Sequence, residues 1–456
     1  MISYIGRANY SFSDKYLFTA TIRSDGSSRF GPENRFAIFP SFAAAWRVTE
    51  EDFLQDNLIN NLKIRLSWGK SGNNNIGNYA HLASIGAGSY VFSDNIVSGA
   101  QVGISNPNLT WEESSQVDAG FDLGFFDNRL SLVLDYYHRI SNNMLLSDRI
   151  PAITGFNSQV VNRGNVRNSG FELSLNVTPI QGDFQWNMNF NLSLNRNKVI
   201  SINGKDDAQI LSGNCDGSSS HVTVVGKPIG QFFGYVFDGL YTAEDLKNPE
   251  VVKYPSAYEG AIKFKDLNGD GSISGPLDFA VIGNPHPDFI YGLTNSFSWR
   301  EWDLTLVMNG QHGGDVINGL RQTVDNLQGF FNVGSEWINR WKSSQMPGDG
   351  LHYGVPPAPG SYGHKMNSLW IEDASFLRIS NLTLGYSLPS SLILNSGFIK
   401  SCRFYLTAQN LVTFTKYKGT NPEGKHLDFN NTLASGFDMT SYPVSYTHLR
   451  AHETSQ

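Results

Sequence analysis

The residues whose types and spacing are best suited to chemistry lie together at Asp266-Leu267-Asn268-Gly269-Asp270-Gly271-Ser272-Ile273. Hard cations are held by oxygens from alternate positions of a tightly turned loop. Asp266, Asn268 and Asp270 supply side-chain oxygens at that spacing, and Ser272 offers its backbone carbonyl. Gly271 allows the sharp turn, and Ile273 is placed to anchor the loop on an apolar neighbour. The stretch matches the first eight positions of a calcium loop. Its twelfth position should bring a bidentate carboxylate but holds Leu277, with Asp278 one residue late. Two readings stay open: calcium bound by Asp266, Asn268, Asp270 and Ser272, or a glycine-rich solvated turn. A bound ion here would stiffen a loop rather than carry out a reaction.

Other constellations fall short of chemistry. Trp68-Gly69-Lys70-Ser71-Gly72 looks like the end of a phosphate loop, but the upstream glycine that loop needs is Ile64. Lys70 is read as a charge at the base of a loop. His286 and His312 have no cysteine or paired carboxylate at ligand spacing, so they are expected on the surface or hydrogen-bonded. No nucleophile elbow or Ser–His–Asp set can be argued, and no enzyme is expected. Cys215 and Cys402 form no zinc spacing. A net charge of −7 without a basic cluster speaks against nucleic acid as a partner. Trp337, Trp341, Tyr353, Tyr362 and Trp370 share one long loop, and Phe232, Phe233, Tyr235 and Phe237 another. Flat rings stack on sugars, but they also pack loops together, and packing is the favoured reading.

The elements that must position these loops show in Phe171–Asn195. Phe184, Trp186, Met188, Phe190, Leu192 and Leu194 alternate with Gln185, Asn187, Asn189, Asn191, Ser193 and Asn195. Side chains of a strand point to opposite faces in turn, so one face is apolar and the other polar but uncharged. Phe171, Leu173, Leu175 and Val177 repeat the pattern against Glu172, Ser174, Asn176 and Thr178, with Pro179, Gly182 and Asp183 as the turn. Each arm is about as long as a tilted strand needs to cross a bilayer core. Similar strands are expected at Ser3–Phe12, Lys15–Arg23, Phe36–Val48, Leu62–Gly69, Gln116–Phe125 and Leu130–Arg139. Four more are expected at Ile290–Trp299, Trp302–Gln311, Phe376–Leu388 and Arg403–Val412.

Connection lengths alternate. The links near Ser13, at Phe126–Arg129, Thr178–Asp183 and Arg300–Glu301 are tight, and Thr49–Asn61 and Pro389–Cys402 are moderate. Between them, Ser24–Arg35, Lys70–Ser115, Ile140–Asn168, Asn197–Phe289 and His312–Ser375 are long. A membrane barrel with short periplasmic turns and long external loops produces this parity; a soluble sandwich does not. The composition agrees, with Gly 45, aromatic 13% and charged 16%. A mean hydropathy of −0.28 and the lack of any apolar run of about 18 residues exclude a transmembrane helix but not a barrel. Trp68, Phe125, Phe126, Tyr136, Tyr137, Trp299, Trp302, Tyr386 and Tyr405 sit near strand ends and are read as interfacial girdles. The fold class expected is all-β, a transmembrane antiparallel β-barrel, incomplete at roughly a dozen strands. Amide-rich inner faces (Gln185, Asn187, Asn189, Asn191, Asn195, with Asp118, Asp122, Asp303, Asn309 and Gln311) would line a wet bore or meet a plug.

Seven segments then carry a resemblance. They are Arg23–Phe53, Asn106–Phe126, Asn162–Leu175, Val225–Tyr241, Ile262–Ile273, Ser375–Pro389 and Gln409–Glu423. In this order they resemble SusC/RagA-type TonB-linked outer-membrane proteins. The resemblance implies a plugged barrel of roughly 22 strands in the outer membrane. It implies partnership with a SusD-like surface lipoprotein, the TonB complex and outer-membrane lipid, and import of oligosaccharides or peptides in Bacteroidetes-type bacteria. Residues 1–443 then correspond to the C-terminal part of the barrel, with signal sequence, TonB box, plug and first strands expected upstream. Residues 444–456 depart from the family: Val444–Thr454 resembles a translated sequencing adapter, so His448, His452 and Glu453 are assigned no function. The competing reading is a secreted soluble β-rich carbohydrate-binding protein with a calcium-stiffened loop.

Overall fold

A computed structural model describes the chain apart from residues 55–57, 84, 93–94, 102, 157, 205–207, 216–217, 326, 328–331, 357–364, 390–400, 425–432, 440–447 and 454–456. Among the described residues, twelve long strands carry the alternating pattern. They are β1 (Ile2–Phe12), β2 (Tyr16–Gly26), β3 (Phe36–Arg47), β4 (Ile59–Asn73), β5 (Glu112–Phe125) and β6 (Leu130–Arg149). The series continues with β7 (Ser158–Ile180), β8 (Phe184–Ile202), β9 (Phe289–Trp299), β10 (Trp302–His312), β11 (Phe376–Ser387) and β12 (Arg403–Thr415).

The chain divides into two compact units: residues 1–179 with 188–208 and 224–227, and residues 180–187 with 209–223 and 228–456. In the first, β1 to β7 form an antiparallel meander in which each strand bonds the next, and β8 follows beside β7. In the second, β9 to β12 do the same, and the backbone of β13 (His448–Glu453) runs antiparallel along β12.

The hairpins form for local reasons. Ser13 and Asp14 both take left-handed backbone, φ 53 and 54. Two such residues make the primed turn whose twist suits a right-twisted hairpin, and Ser11 Oγ donates to the Asp14 carboxylate at 3.0 Å. β6 and β7 are longer than their alternation indicates. They continue outward through Leu145↔Asn162 to Arg149↔Ser158, past bulges between Ser141 and Leu145, where the sequence reading places a loop. Beyond the bilayer a strand pair needs its backbone bonds but no apolar face, so period-two hydropathy fades there while the ladder persists.

The two faces differ as the alternation requires. Tyr10, Phe18, Phe42, Leu66, Val117 and Phe121 in the first unit are exposed, Leu66 to 57%. So are Trp299, Trp302, Leu384, Phe404 and Leu406 in the second. An apolar surface of this extent is not left facing water by a soluble monomer. The band is edged by aromatics with polar tips at the short-turn end. Tyr16 donates to Glu51 at 2.7 Å and the Trp46 indole at 3.1 Å, while Lys15 pairs with the same carboxylate at 3.0 Å. The Tyr16 hydroxyl, with Lys15 and Trp46, holds the Glu51 carboxyl below its ordinary range.

Two residues of the expected girdle face the other way. Tyr137 lies opposite Asp118 and Gly170 and donates to Asn195 Oδ1 at 2.9 Å, and Tyr405 lies opposite Gly385 beneath the Arg403 guanidinium. Nearness to a strand end does not fix the face; parity does. In a lipid-reconstituted refolding titration, Phe42→Arg, at an exposed lipid-facing position four residues along the strand from the Trp46 boundary, is expected to destabilise the protein by about 2–4 kcal/mol, the range for a cation near the bilayer midplane. Ser174→Arg, on the opposite face, is expected to change it by less than about 1 kcal/mol.

Candidate functional site

The inner wall is the first functional surface, and register explains how it is held. Arg65 on β4, Gly120 on β5 and Asp135 on β6 stand in one row. Arg65 Nη2 reaches across Gly120 to Asp135 Oδ1 at 3.0 Å and meets Asp122 Oδ1 at 2.8 Å. A Cβ on Gly120 would fall 2.2 Å from the Asp135 carboxylate and 2.8 Å from the guanidinium, so only glycine leaves the passage open. The same device recurs in the second unit. Asp303 stands opposite Gly385 and Gly385 opposite Tyr405; Arg403, two residues before Tyr405, reaches back over the glycine so that its Nε donates to Asp303 Oδ1 at 3.0 Å, and a Cβ on Gly385 would lie 2.5 Å from both partners. Each pair skips a strand and ties three together. Elsewhere in the first unit the wall is amide-lined: Asn189 donates to Asn176 at 2.5 Å, and Asn191 to Asn189 at 2.6 Å. On the apolar face Asn295 is 8% exposed and accepts from the Trp186 indole at 2.9 Å, so this polar group is not left bare.

The loop Asp266–Ile273 is the second. Asp266 accepts from the backbone N–H of Gly269 at 2.7 Å and of Gly271 at 2.9 Å. Asn268 Oδ1 accepts from Asp270 N at 2.9 Å, and Asp270 from Ser272 N at 2.8 Å and Asn268 Nδ2 at 2.9 Å. Gly269 and Gly271 take φ of 74 and 78, which only glycine adopts without strain. The loop is thus wound as its spacing implies, with Asp266 half-buried beneath the turn it closes and Asn268 and Asp270 exposed and bonded to each other. Among the described residues no three carboxylate, imidazole or thiol groups converge there, so two carboxylates share the loop with an amide and a backbone carbonyl. Asp278 is no late ligand. It is wholly buried, and its oxygens accept from Leu267 N at 3.1 Å and Ser274 N at 2.7 Å, stapling the two ends of the loop.

Ile273, 3% exposed, anchors the loop in a core built with Tyr235, Tyr241, Tyr254, Phe264 and Trp337. Burial pushes the Tyr241 hydroxyl up to about 12. Trp341, Tyr353 and Trp370 are buried as well, and Phe232 and Tyr235 pack inside the same loops, so these rings hold loops together and are not free for sugars. Tyr362 lies outside the described residues. His286 is half-buried and bonded to the Ile229 carbonyl at 2.8 Å; its removal from water lowers its pKa, and the hydrogen bond opposes that shift. Lys70 pairs with Glu113 at 3.3 Å at the loop base.

Sequence reasoning missed a third arrangement. Asp438, 1% exposed, accepts from the Tyr417 hydroxyl at 2.8 Å, Asn421 N at 3.0 Å and both Thr420 N and Oγ1 at 3.1 Å. The Tyr417 hydroxyl is pushed up by burial and by this carboxylate. Nothing in the spacing of residues 417–438 announces the contact.

A wall of long antiparallel strands, apolar outside and amide-lined inside, defines an outer-membrane β-barrel protein. The comparisons with known proteins agree. Residues 3–411 match the family TonB dependent receptor-like, beta-barrel, and the chain belongs to that family, in its SusC/RagA-type branch. It is 35% identical to TonB-dependent receptor P3 of Formosa agariphila over 97% of this chain and 44% of that one. It is 32% identical to TonB-dependent receptor SusC of Bacteroides thetaiotaomicron over 98% and 43%. Among solved structures it resembles the RagAB peptide transporter with a TM-score of 0.81 and 28% identity, over 97% of this chain and 46% of that one. The chain therefore spans less than half the length of these relatives.

The glycine passage carries a direct test. Gly120→Val should part Arg65 from Asp135 and lower the unfolding midpoint in lipid vesicles. Because the cost comes from that ion pair, it should fall by at least half in an Asp135→Ala background, a coupling on the order of 1 kcal/mol. Equal costs in both backgrounds would show that the glycine serves something else.

Proposed function

We propose that this chain is part of a TonB-dependent transporter, not an enzyme, that imports oligosaccharides or peptides through the outer membrane with a SusD-like surface lipoprotein. The observation that carries the reading is the match to the RagAB peptide transporter structure over 97% of this chain. The relatedness to SusC supports the same class of machine. The inner wall suits such cargo. Amides and paired charges offer donors and acceptors to hydroxyl- or peptide-rich solutes while binding none of them tightly. Energy would come from the TonB complex. The secreted soluble alternative is set aside because the family is that of a membrane barrel.

The test uses the complete receptor in its own cell. Deleting its gene should abolish uptake of one class of fluorescent oligomer, and collapsing the proton gradient should do the same in the intact strain. A tagged receptor should co-purify a surface lipoprotein. Uptake that survives both treatments would overturn the proposal.

We also propose that Asp266, Asn268, Asp270 and the Ser272 carbonyl bind calcium. The wound loop supports this, and two carboxylates without a bidentate twelfth ligand place the affinity in the roughly 10⁻⁴–10⁻³ M class of extracellular sites. The ion's role would be to rigidify the loop against its Ile273 anchor. Millimolar calcium should slow proteolysis within residues 262–278 several-fold, and Asp266→Asn with Asp270→Asn should remove that protection without loss of the folded barrel. Equal cleavage with calcium or chelator would refute the site.

A further inference from the structure

The outer face of the first unit is not uniformly filled. Its registers set one row as Tyr10↔Phe18↔Ala44↔Leu66 and the next row outward as Ala8↔Ala20↔Phe42↔Trp68. Three alanines thus step diagonally across β1, β2 and β3 between tall neighbours. On one side stand Tyr10 and Phe18. On the other, the Phe42 and Trp68 rings stack at 6.0 Å and 10°. The alanines form the floor of a furrow of about 440 Å³. That is about three times the ~150 Å³ of an apolar cavity that takes up benzene, so it has room for an acyl chain.

Its depth names the leaflet. The Tyr16↔Trp46 pair, whose polar tips meet Glu51, marks the boundary at the short-turn end. Ala44 lies two residues from Trp46, and Ala20 four from Tyr16. At about 3.4 Å per residue these are ~7 and ~14 Å along the strand, or roughly 5 and 10 Å along the membrane normal for strands tilted about 35–45°. The furrow therefore sits in the half of the hydrocarbon layer next to the short turns, the periplasmic half. It is continuous with the lipid-facing band and lined by apolar side chains, so nothing in it would hold a headgroup or a polar segment.

We propose that this furrow holds one acyl chain of a periplasmic-leaflet phospholipid as a retained lipid, distinct from the exchanging lipids around the rest of the wall. A chain lying on the alanines touches protein on its floor and both sides, and such close packing is what favours association where no water is displaced. Lipid beside the convex remainder of the band touches protein on one side only.

The experiment reconstitutes the complete receptor with a phosphatidylethanolamine carrying a diazirine midway along one acyl chain, then maps cross-links by mass spectrometry. Labels are expected concentrated on the strands Tyr16–Gly26 and Phe36–Arg47, and delipidation in mild detergent should leave about one phospholipid per receptor. Ala44→Phe and, separately, Ala20→Phe should each cut that labelling at least five-fold while heat-modifiable gel mobility shows a folded barrel. Labels spread evenly around the wall of the unmodified receptor would overturn the proposal, whether or not either variant folds. A receptor dimer that Ala44→Phe splits, with no retained phospholipid, would also overturn it, assigning the furrow to a second copy.

Discussion

Everything in this protein depends on one constraint: inside hydrocarbon, each backbone N–H and C=O must find its partner within the protein. A strand cannot satisfy itself, so the antiparallel ladder has to continue from β1 to β2 and onward, each strand closing its neighbour's bonds. Once the ladder is fixed, side chains have only two directions. The apolar set, such as Leu66, Phe121 and Leu384, must take the lipid side, which leaves amides and charges for the interior. The two-residue period is thus a consequence of solvation on both faces, and a single slip would exchange them.

The interior solves a second difficulty created by the first. Charges turned away from lipid still need partners, and neighbouring strands do not always offer one. Arg65 finds Asp135, and Arg403 finds Asp303, by passing over Gly120 and Gly385 on the strand between. Glycine weakens a strand locally, and here its missing Cβ opens a passage for an ion pair that binds three strands. The outside uses small residues too, but Ala8, Ala20 and Ala44 leave a furrow for lipid where the inner glycines make room for protein.

Much of the wall was legible in residues 171–195 and in the parity of loop lengths, because bilayer crossing imposes a period and a length on every strand. The external reach of β6 and β7 was not legible, since the ladder continues past the bulges between Ser141 and Leu145 where the two-residue hydropathy period has faded. The facing of Tyr137 and Tyr405 follows parity, placing them opposite Asp118 and Gly385, and nearness to a strand end does not report it. In the loops, the winding of Asp266–Ile273 and its Ile273 anchor followed from spacing. Asp278 falls one residue past the twelfth position in the sequence, and only the fold shows it to be a buried staple. Asp438 and Tyr417 meet across an irregular stretch with no repeat to betray them.

The central claim is tested most directly by single nitroxide labels placed one at a time along Leu304–Asn309 of the complete receptor in lipid vesicles. Collision with oxygen, which concentrates in lipid, should dominate at Leu304, Leu306 and Met308, and collision with a water-soluble nickel complex at Thr305, Val307 and Asn309. Six labels without a period of two, or with the phases reversed, would contradict the account.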